Sequence, residues 1–195
     1  MTLPTGRRPK VDRGVLLSFT LLLLTGLVIL YAASFYNAQD SGNSLAEVKS
    51  QLVGMGVGAV AMAAVLRMDY RVLKRPLVSG SLVVLSLVLL GLVAVPGIGR
   101  MLNGSRRWLT IGPLSFQPSE LAKYAMILFL ARALSSPGRD VTRFFRGLIP
   151  LFIVPGLMFL LILMQPNLST AASILIVAGI MAMLAGARWR HLLAL

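Results

Sequence analysis

The sequence predicts an all-α polytopic membrane protein of about six transmembrane helices, with both ends cytoplasmic. Three observations predict it. Apolar residues make up 57% of the chain and charged ones only 13%, whereas soluble domains carry about 25% charged residues. Apolar runs recur at close to the roughly 20 residues a helix needs to cross a bilayer. Lysine and arginine gather in alternate connections, as the positive-inside rule requires. A β-barrel would show alternating segments of about 10 residues, and none is visible.

The spans are expected at 15–36, 50–66, 77–95, 118–134, 148–164 and 169–187. Residues 1–14 are expected to form a cytoplasmic arm with Arg7, Arg8, Lys10 and Arg13, and residues 15–195 the N-terminal part of a transmembrane domain. The first apolar run is too long for a cleaved signal and reads as a retained helix ending near Tyr31 to Tyr36. An external polar loop, 37–48, holds Asp40 and Glu47. In the second helix Gly54 and Gly58 stand at small-xxx-small spacing, which suits close contact with another helix. Asp69, among Arg67, Arg71, Lys74 and Arg75, reads as a local salt bridge or helix cap. The third helix stops at Pro96-Gly97. Pro118 can open the fourth, because its missing N–H would be unpaired there anyway. Arg132, Arg139, Arg143 and Arg146 surround the next connection. Gln165-Pro166-Asn167-Leu168-Ser169-Thr170 reverses the chain, with Ser169 or Thr170 able to cap the sixth helix. That turn could also line a polar site. The apolar stretch after Arg188 and Arg190 looks like the start of a further element, as expected of a fragment.

The formal charge of +13 would suggest nucleic acid in a soluble protein; here it sorts onto the cytoplasmic side and calls for no nucleic acid partner. Arg100, Arg106 and Arg107 break that sorting, so something other than topology places positive charge there. The chain contains no cysteine, which excludes disulfides and thiol catalysis. His191 is the single histidine, and no metal-binding motif points to a cofactor.

The stretch 103–123, NGSRRWLTIGPLSFQPSELAK, carries the chemistry. It reads as a polar loop leading into the fourth helix. Arg106 and Arg107 suit a phosphate or pyrophosphate through paired guanidinium hydrogen bonds, although two external arginines could also snorkel to lipid phosphates. Trp108 could sit at the interface or cover an apolar part of a lipid substrate. Gln117 offers an amide to orient a ligand or the loop. Glu120 and Lys123, three apart, leave one helical face, and charge at membrane depth costs about 2.5–3.5 kcal/mol per residue. The pair either organises a polar cavity or specifies helix packing as a buried ion pair. No nucleophilic triad, phosphate-binding glycine loop or paired carboxylate site is recognisable.

Asn103-Gly104-Ser105-Arg106-Arg107-Trp108-Leu109, then Gln117-Pro118-Ser119-Glu120-Leu121-Ala122-Lys123, resembles the SEDS family of FtsW, RodA and SpoVE proteins. Gln165-Pro166-Asn167-Leu168-Ser169-Thr170 is similar to that family's QPDLGT-type motif, with Asn167 for aspartate and Ser169 for glycine. Tyr31-Ala32-Ala33-Ser34 leans slightly toward the FtsW-like branch. The resemblance implies a peptidoglycan glycosyltransferase of the bacterial cytoplasmic membrane, polymerising lipid II at the outer face in division or elongation. It implies an N-terminal half of such a protein, with the catalytic aspartate downstream, no catalytic residue here and an inactive fragment. Substrate or cavity residues would be Arg106, Arg107, Trp108, Gln117, Glu120, Lys123, Gln165 and Asn167. Implied partners are lipid II, a class B penicillin-binding transpeptidase and other division or elongation proteins. A lipid II flippase and a non-enzymatic scaffold of that machinery are the competing functions.

Overall fold

The computed structural model describes residues 12–41, 46–102, 104–112, 114–136 and 140–194. Most of the expected arm, with Arg7, Arg8 and Lys10, lies outside the described residues, as do Asn103, Pro113 and Arg139. The chain divides into two compact units, 1–63 and 64–195.

The first unit holds helix α1, Arg13–Ser41, and most of α2, Ala46–Arg67. Helix α1 runs past the expected end at Tyr36, so residues 37–41, expected in a polar loop, are helical, as are residues 46–48. Thr20 and Thr25 donate their hydroxyls to the carbonyls of Leu16 and Leu21, so these polar groups do not interrupt the apolar helix. Leu17, Leu22, Val28 and Val60 are largely exposed. Apolar surface on that scale has a bilayer as its natural solvent. A Cβ placed on Gly54, Gly56 or Gly58 would meet nothing within 4 Å among the described residues.

The second unit is a helical bundle with a small sheet. Asp69 accepts a hydrogen bond from the Arg71 N–H at 2.9 Å and caps a 3-10 turn, Tyr70–Lys74, which settles its role as a cap. Helix α3, Pro76–Ala94, packs against α4, Pro118–Leu134. Both open with proline in the first turn. A single π-turn, Phe144–Leu148, leads into α5, Ile149–Leu163, then α6, Leu168–Leu184, and a short α7, Trp189–Leu193. Among the described residues four helical stretches, Arg13–Ser34, Val48–Arg67, Pro76–Ala94 and Phe144–Leu163, are long and apolar enough to cross a membrane. The fold is that of a multi-pass α-helical membrane protein.

The buried faces of these helices mix large and small residues. Val83, Ser86, Leu90 and Val93 of α3 are buried at helical spacing, as are Leu151, Met158 and Ile162 of α5. Opposite them stand Ala122 and Ala125 of α4 and Ala171, Ala178 and Ala182 of α6, all nearly inaccessible. Small residues let backbones approach closely where no hydrophobic effect drives helices together in lipid. Ser86 donates to the Leu82 carbonyl, so its hydroxyl enters the core already paired.

The stretch expected as a loop is a three-stranded antiparallel sheet: β1, Arg100–Leu102; β2, Ser105–Ile111; β3, Leu114–Phe116. Leu102 pairs with Ser105 and Ile111 with Leu114, so both connections are antiparallel hairpins. Gly104 and Gly112 occupy these turns at φ of 76° and 59°, the left-handed region that glycine enters without steric cost. The sheet lies against α3 and α4 through β2.

Candidate substrate-binding site

Antiparallel pairing decides which residues meet. Leu109 pairs with Phe116, the last residue of β3. Gln117 therefore follows at the Trp108 end of β2, and α4 begins beside the two arginines. On the other side Arg100 pairs with Trp108 and Met101 with Arg106. This leaves Arg107 as an extra residue, a β-bulge. Consecutive side chains normally point to opposite faces of a strand, and a bulge suspends that rule and re-aims them. Arg106 and Arg107 are both partly buried.

Their electrostatic situations differ. Arg107 donates from Nε to Ser105 Oγ, and Ser105 is 5% exposed. That hydrogen bond fixes the guanidinium and leaves its outer nitrogens available. Arg106 has no hydrogen-bond or ion-pair partner among the described residues. A planar fork without a carboxylate is ready for an anion.

At the head of α4, Gln117 Nε2 donates to Ser119 Oγ at 2.9 Å, and Ser119 is fully buried. Gln117 thus orients the first turn of the helix. Glu120 lies in that turn, where the helix dipole favours a carboxylate. Lys123 Nζ donates to Glu120 Oε2 at 2.9 Å, and the two side chains are 31% and 47% exposed respectively. This is not the buried ion pair that the packing reading required. Pairs this open stabilise by about 0–1 kcal/mol at most. Glu120 keeps its other oxygen and Lys123 two N–H groups for a further partner.

Gln165 Nε2 donates to the Leu90 carbonyl at 3.0 Å, tying the α5–α6 turn to α3 about 6 Å along the axis from the end of that helix. The turn therefore sits at the sheet end of the bundle. Asn167, not Ser169 or Thr170, caps α6: its Oδ1 accepts from the Thr170 N–H at 3.4 Å. Gln165 Oε1 and Asn167 Nδ2 are buried with no hydrogen-bond partner among the described residues. Such orphans are rare in folded proteins and mark a place for a water or ligand group.

The eight sequence-derived candidates thus gather at one end of the second unit. Ser105 and Ser119, which hold Arg107 and Gln117, escaped the sequence reading. A hydroxyl two residues from a long polar side chain was the available signal.

A family model described as "Cell cycle protein", covering FtsW, RodA and SpoVE, matches residues 13–195. The chain belongs to the FtsW/RodA/SpoVE family. It is 40% identical over 179 residues to stage V sporulation protein E of Bacillus subtilis, covering 91% of this chain and 48% of that protein. A probable peptidoglycan glycosyltransferase FtsW of Geobacter sulfurreducens is 35% identical over 194 residues, 95% of this chain and 50% of that protein. The crystal structure of the Thermus thermophilus rod shape determining protein RodA superposes with a TM-score of 0.66 at 35% identity, covering 87% of this chain and 56% of that one. A structure of a peptidoglycan synthase complex that coordinates polymerization and crosslinking gives a TM-score of 0.61 at 31% identity, with 88% and 49% covered. The chain spans about half the length of the curated relatives it matches. Similarity to this family runs to all three of its named branches.

Proposed function

We propose that the protein polymerises lipid II into peptidoglycan glycan strands at the outer face of the bacterial cytoplasmic membrane. The observation that carries this reading is the junction of β2 with α4. There an unpaired Arg106 and a braced Arg107 stand at the same end of the bundle as the open Glu120–Lys123 pair. Relatives named as probable peptidoglycan glycosyltransferases support it.

In the proposed reaction an acceptor sugar hydroxyl gives its proton to a base as it attacks the donor's anomeric carbon, and the bond to undecaprenyl pyrophosphate breaks as that group departs. The arginines stabilise charge growing on the pyrophosphate. Trp108 covers the first isoprene units, and Gln117, Gln165 and Asn167 shape the cavity around them. Glu120 holds Lys123 toward anionic oxygen. No residue of this chain is assigned the role of base. In this arrangement residues 15–195 form the N-terminal part of a transmembrane domain behind a cytoplasmic arm of residues 1–14. Helices α4 and α6 also cross the bilayer, making six spans with the sheet outside. A class B penicillin-binding transpeptidase is the proposed partner, supported by the resemblance to a complex coordinating polymerization with crosslinking.

The test is lipid II polymerisation by the full-length protein in proteoliposomes. Glu120→Ala and Lys123→Ala should each lower glycan strand formation by about 100-fold, the usual effect of losing one preorganised electrostatic group, while membrane insertion is unchanged. Normal polymerisation by both variants would sink the assignment. Lipid II movement without glycan strands would favour the flippase instead.

A further inference from the structure

Helices α3 and α4 run antiparallel, so the pair has a second end, about 25 Å from the sheet at 1.5 Å per residue. There the 3-10 turn and the first residue of α3 meet the last turn of α4 around a cavity of about 550 Å³. Its walls divide by chemistry. Leu73, Pro76 and Leu128 form an apolar side, while Lys74, Arg132 and the phenol of Tyr70 bring hydrogen-bond donors.

Three facts make this a site for an anion rather than a gap between helices. Neither the Lys74 ammonium nor the Arg132 guanidinium has an ion-pair or hydrogen-bond partner among the described residues. The nearest acids in sequence are occupied: Asp69 caps the 3-10 turn, and Asp140 is held by Thr142 and Arg143. At the end of α4 two of the carbonyls nearest the cavity are already taken by hydroxyl donors. Ser135 and Ser136 donate their hydroxyls to the carbonyls of Ala131 and Arg132 at 2.6 and 3.0 Å. The N-terminus of α3 and the C-terminus of α4 carry opposite partial charges at the rim and largely offset each other. The net field is that of two cations.

We propose that this cavity binds the phosphate of an anionic phospholipid, with Lys74 and Arg132 on the phosphate and one acyl chain along Leu73, Pro76 and Leu128. The apolar wall selects a lipid over free phosphate, which would leave that wall wet. Position supports the same choice. The separation of about 25 Å from the sheet is close to the roughly 30 Å hydrocarbon core of a bilayer, so the cavity lies at the opposite membrane surface. Basic pockets between helices at that surface suit anionic headgroups. This assignment is independent of the reading of the sheet end and requires no catalysis.

The full chain in detergent is titrated with phosphatidylglycerol, phosphatidylcholine or inorganic phosphate, and bound molecules are counted by native mass spectrometry. Phosphatidylglycerol should bind with one preferred site. Lys74→Gln and Arg132→Gln should each weaken it about five-fold, and together about 25-fold. Arg71→Gln, a neighbouring basic residue outside the cavity, should change it less than two-fold. Leu128→Trp fills the apolar wall without touching a charge and should also abolish the preferred site, which keeps the test open if the double variant fails to fold. Unchanged binding in the double variant or in Leu128→Trp overturns the proposal. So does an equal loss in Arg71→Gln, which would mean diffuse charge. Displacement of phosphatidylglycerol by inorganic phosphate at matched concentration also overturns it, because the site would then read the anion alone.

Discussion

The Glu120–Lys123 pair and the Gln165–Asn167 turn share one end of the bundle and meet opposite physical problems. The charged pair is satisfied and open: each ion has the other at 2.9 Å, and both keep contact with the surroundings. The neutral amides are enclosed and incomplete, at 3% and 6% exposure, each with one atom paired and one orphaned. The difference teaches where stability and binding reside. Removing an open ion pair costs the fold little, whereas removing one partner from a buried hydrogen bond costs the desolvation of the other. Charge draws the eye in an apolar sequence, yet the structural dependence falls on the amides.

That contrast can be broken by substitution, and the largest effect separates activity from stability. Glu120→Ala in the full-length protein should cut the proposed polymerisation by about 100-fold, yet move the unfolding midpoint in detergent by the equivalent of no more than about 1 kcal/mol. A large loss of stability would return the pair to a packing role. Next, Gln165→Leu removes the donor to the buried Leu90 carbonyl and should destabilise by about 1–3 kcal/mol, read as a lowered midpoint in thermal unfolding. An unchanged midpoint would show that the turn does not depend on α3. A finer comparison sits at Asn167. Asn167→Ala removes the cap of α6 and should cost about 1 kcal/mol. Asn167→Ser keeps a capping oxygen and deletes the orphaned Nδ2, so it should match or exceed the parent in the same assay.

The smallest effect lies away from this end, at Asp140. Hydrogen bonds from the Thr142 hydroxyl and N–H, then the Arg143 charge, hold its carboxyl below the ordinary value of 3.8. A depressed folded-state value means that the carboxylate stabilises above the unfolded value and loses that contribution as pH falls through the folded one. Asp140→Asn should therefore be slightly less stable than the parent at neutral pH. The gap should close below pH 3.8. A gap that persists there would assign it to lost geometry rather than to charge.

How far the sequence foretold this varied with the local physics. Helix α4 matches its expected bounds, Pro118–Leu134, at both ends, because proline marks its start and Ser135-Ser136 its stop. The sheet was missed because β1 and β3 have three residues each, too few for alternation to register. The signal that could have found it is local: Asn103-Gly104 is a favoured two-residue hairpin turn, and Gly112 opens a second. The cap of α6 was placed two or three residues late, because Ser169 and Thr170 are good caps by type and only the backbone shows that Asn167 precedes the first helical residue. Candidate site residues were legible by chemistry, since charge and amides stand out from an apolar background. Their partners were not, because Ser105 and Ser119 are ordinary until burial singles them out.

Only Gln117 separates β3 from α4, and its amide is bonded to Ser119 in the first turn. The joint is one residue long, which ties the position of the strand closely to that of the helix. A tilt of α4 swings the ladder of β2 with it and carries Arg106 and Arg107 along with Glu120 and Lys123. A molecule gripped by the arginines would therefore also set the angle of the helix, and any force applied to α4 from its far end would be felt in that grip.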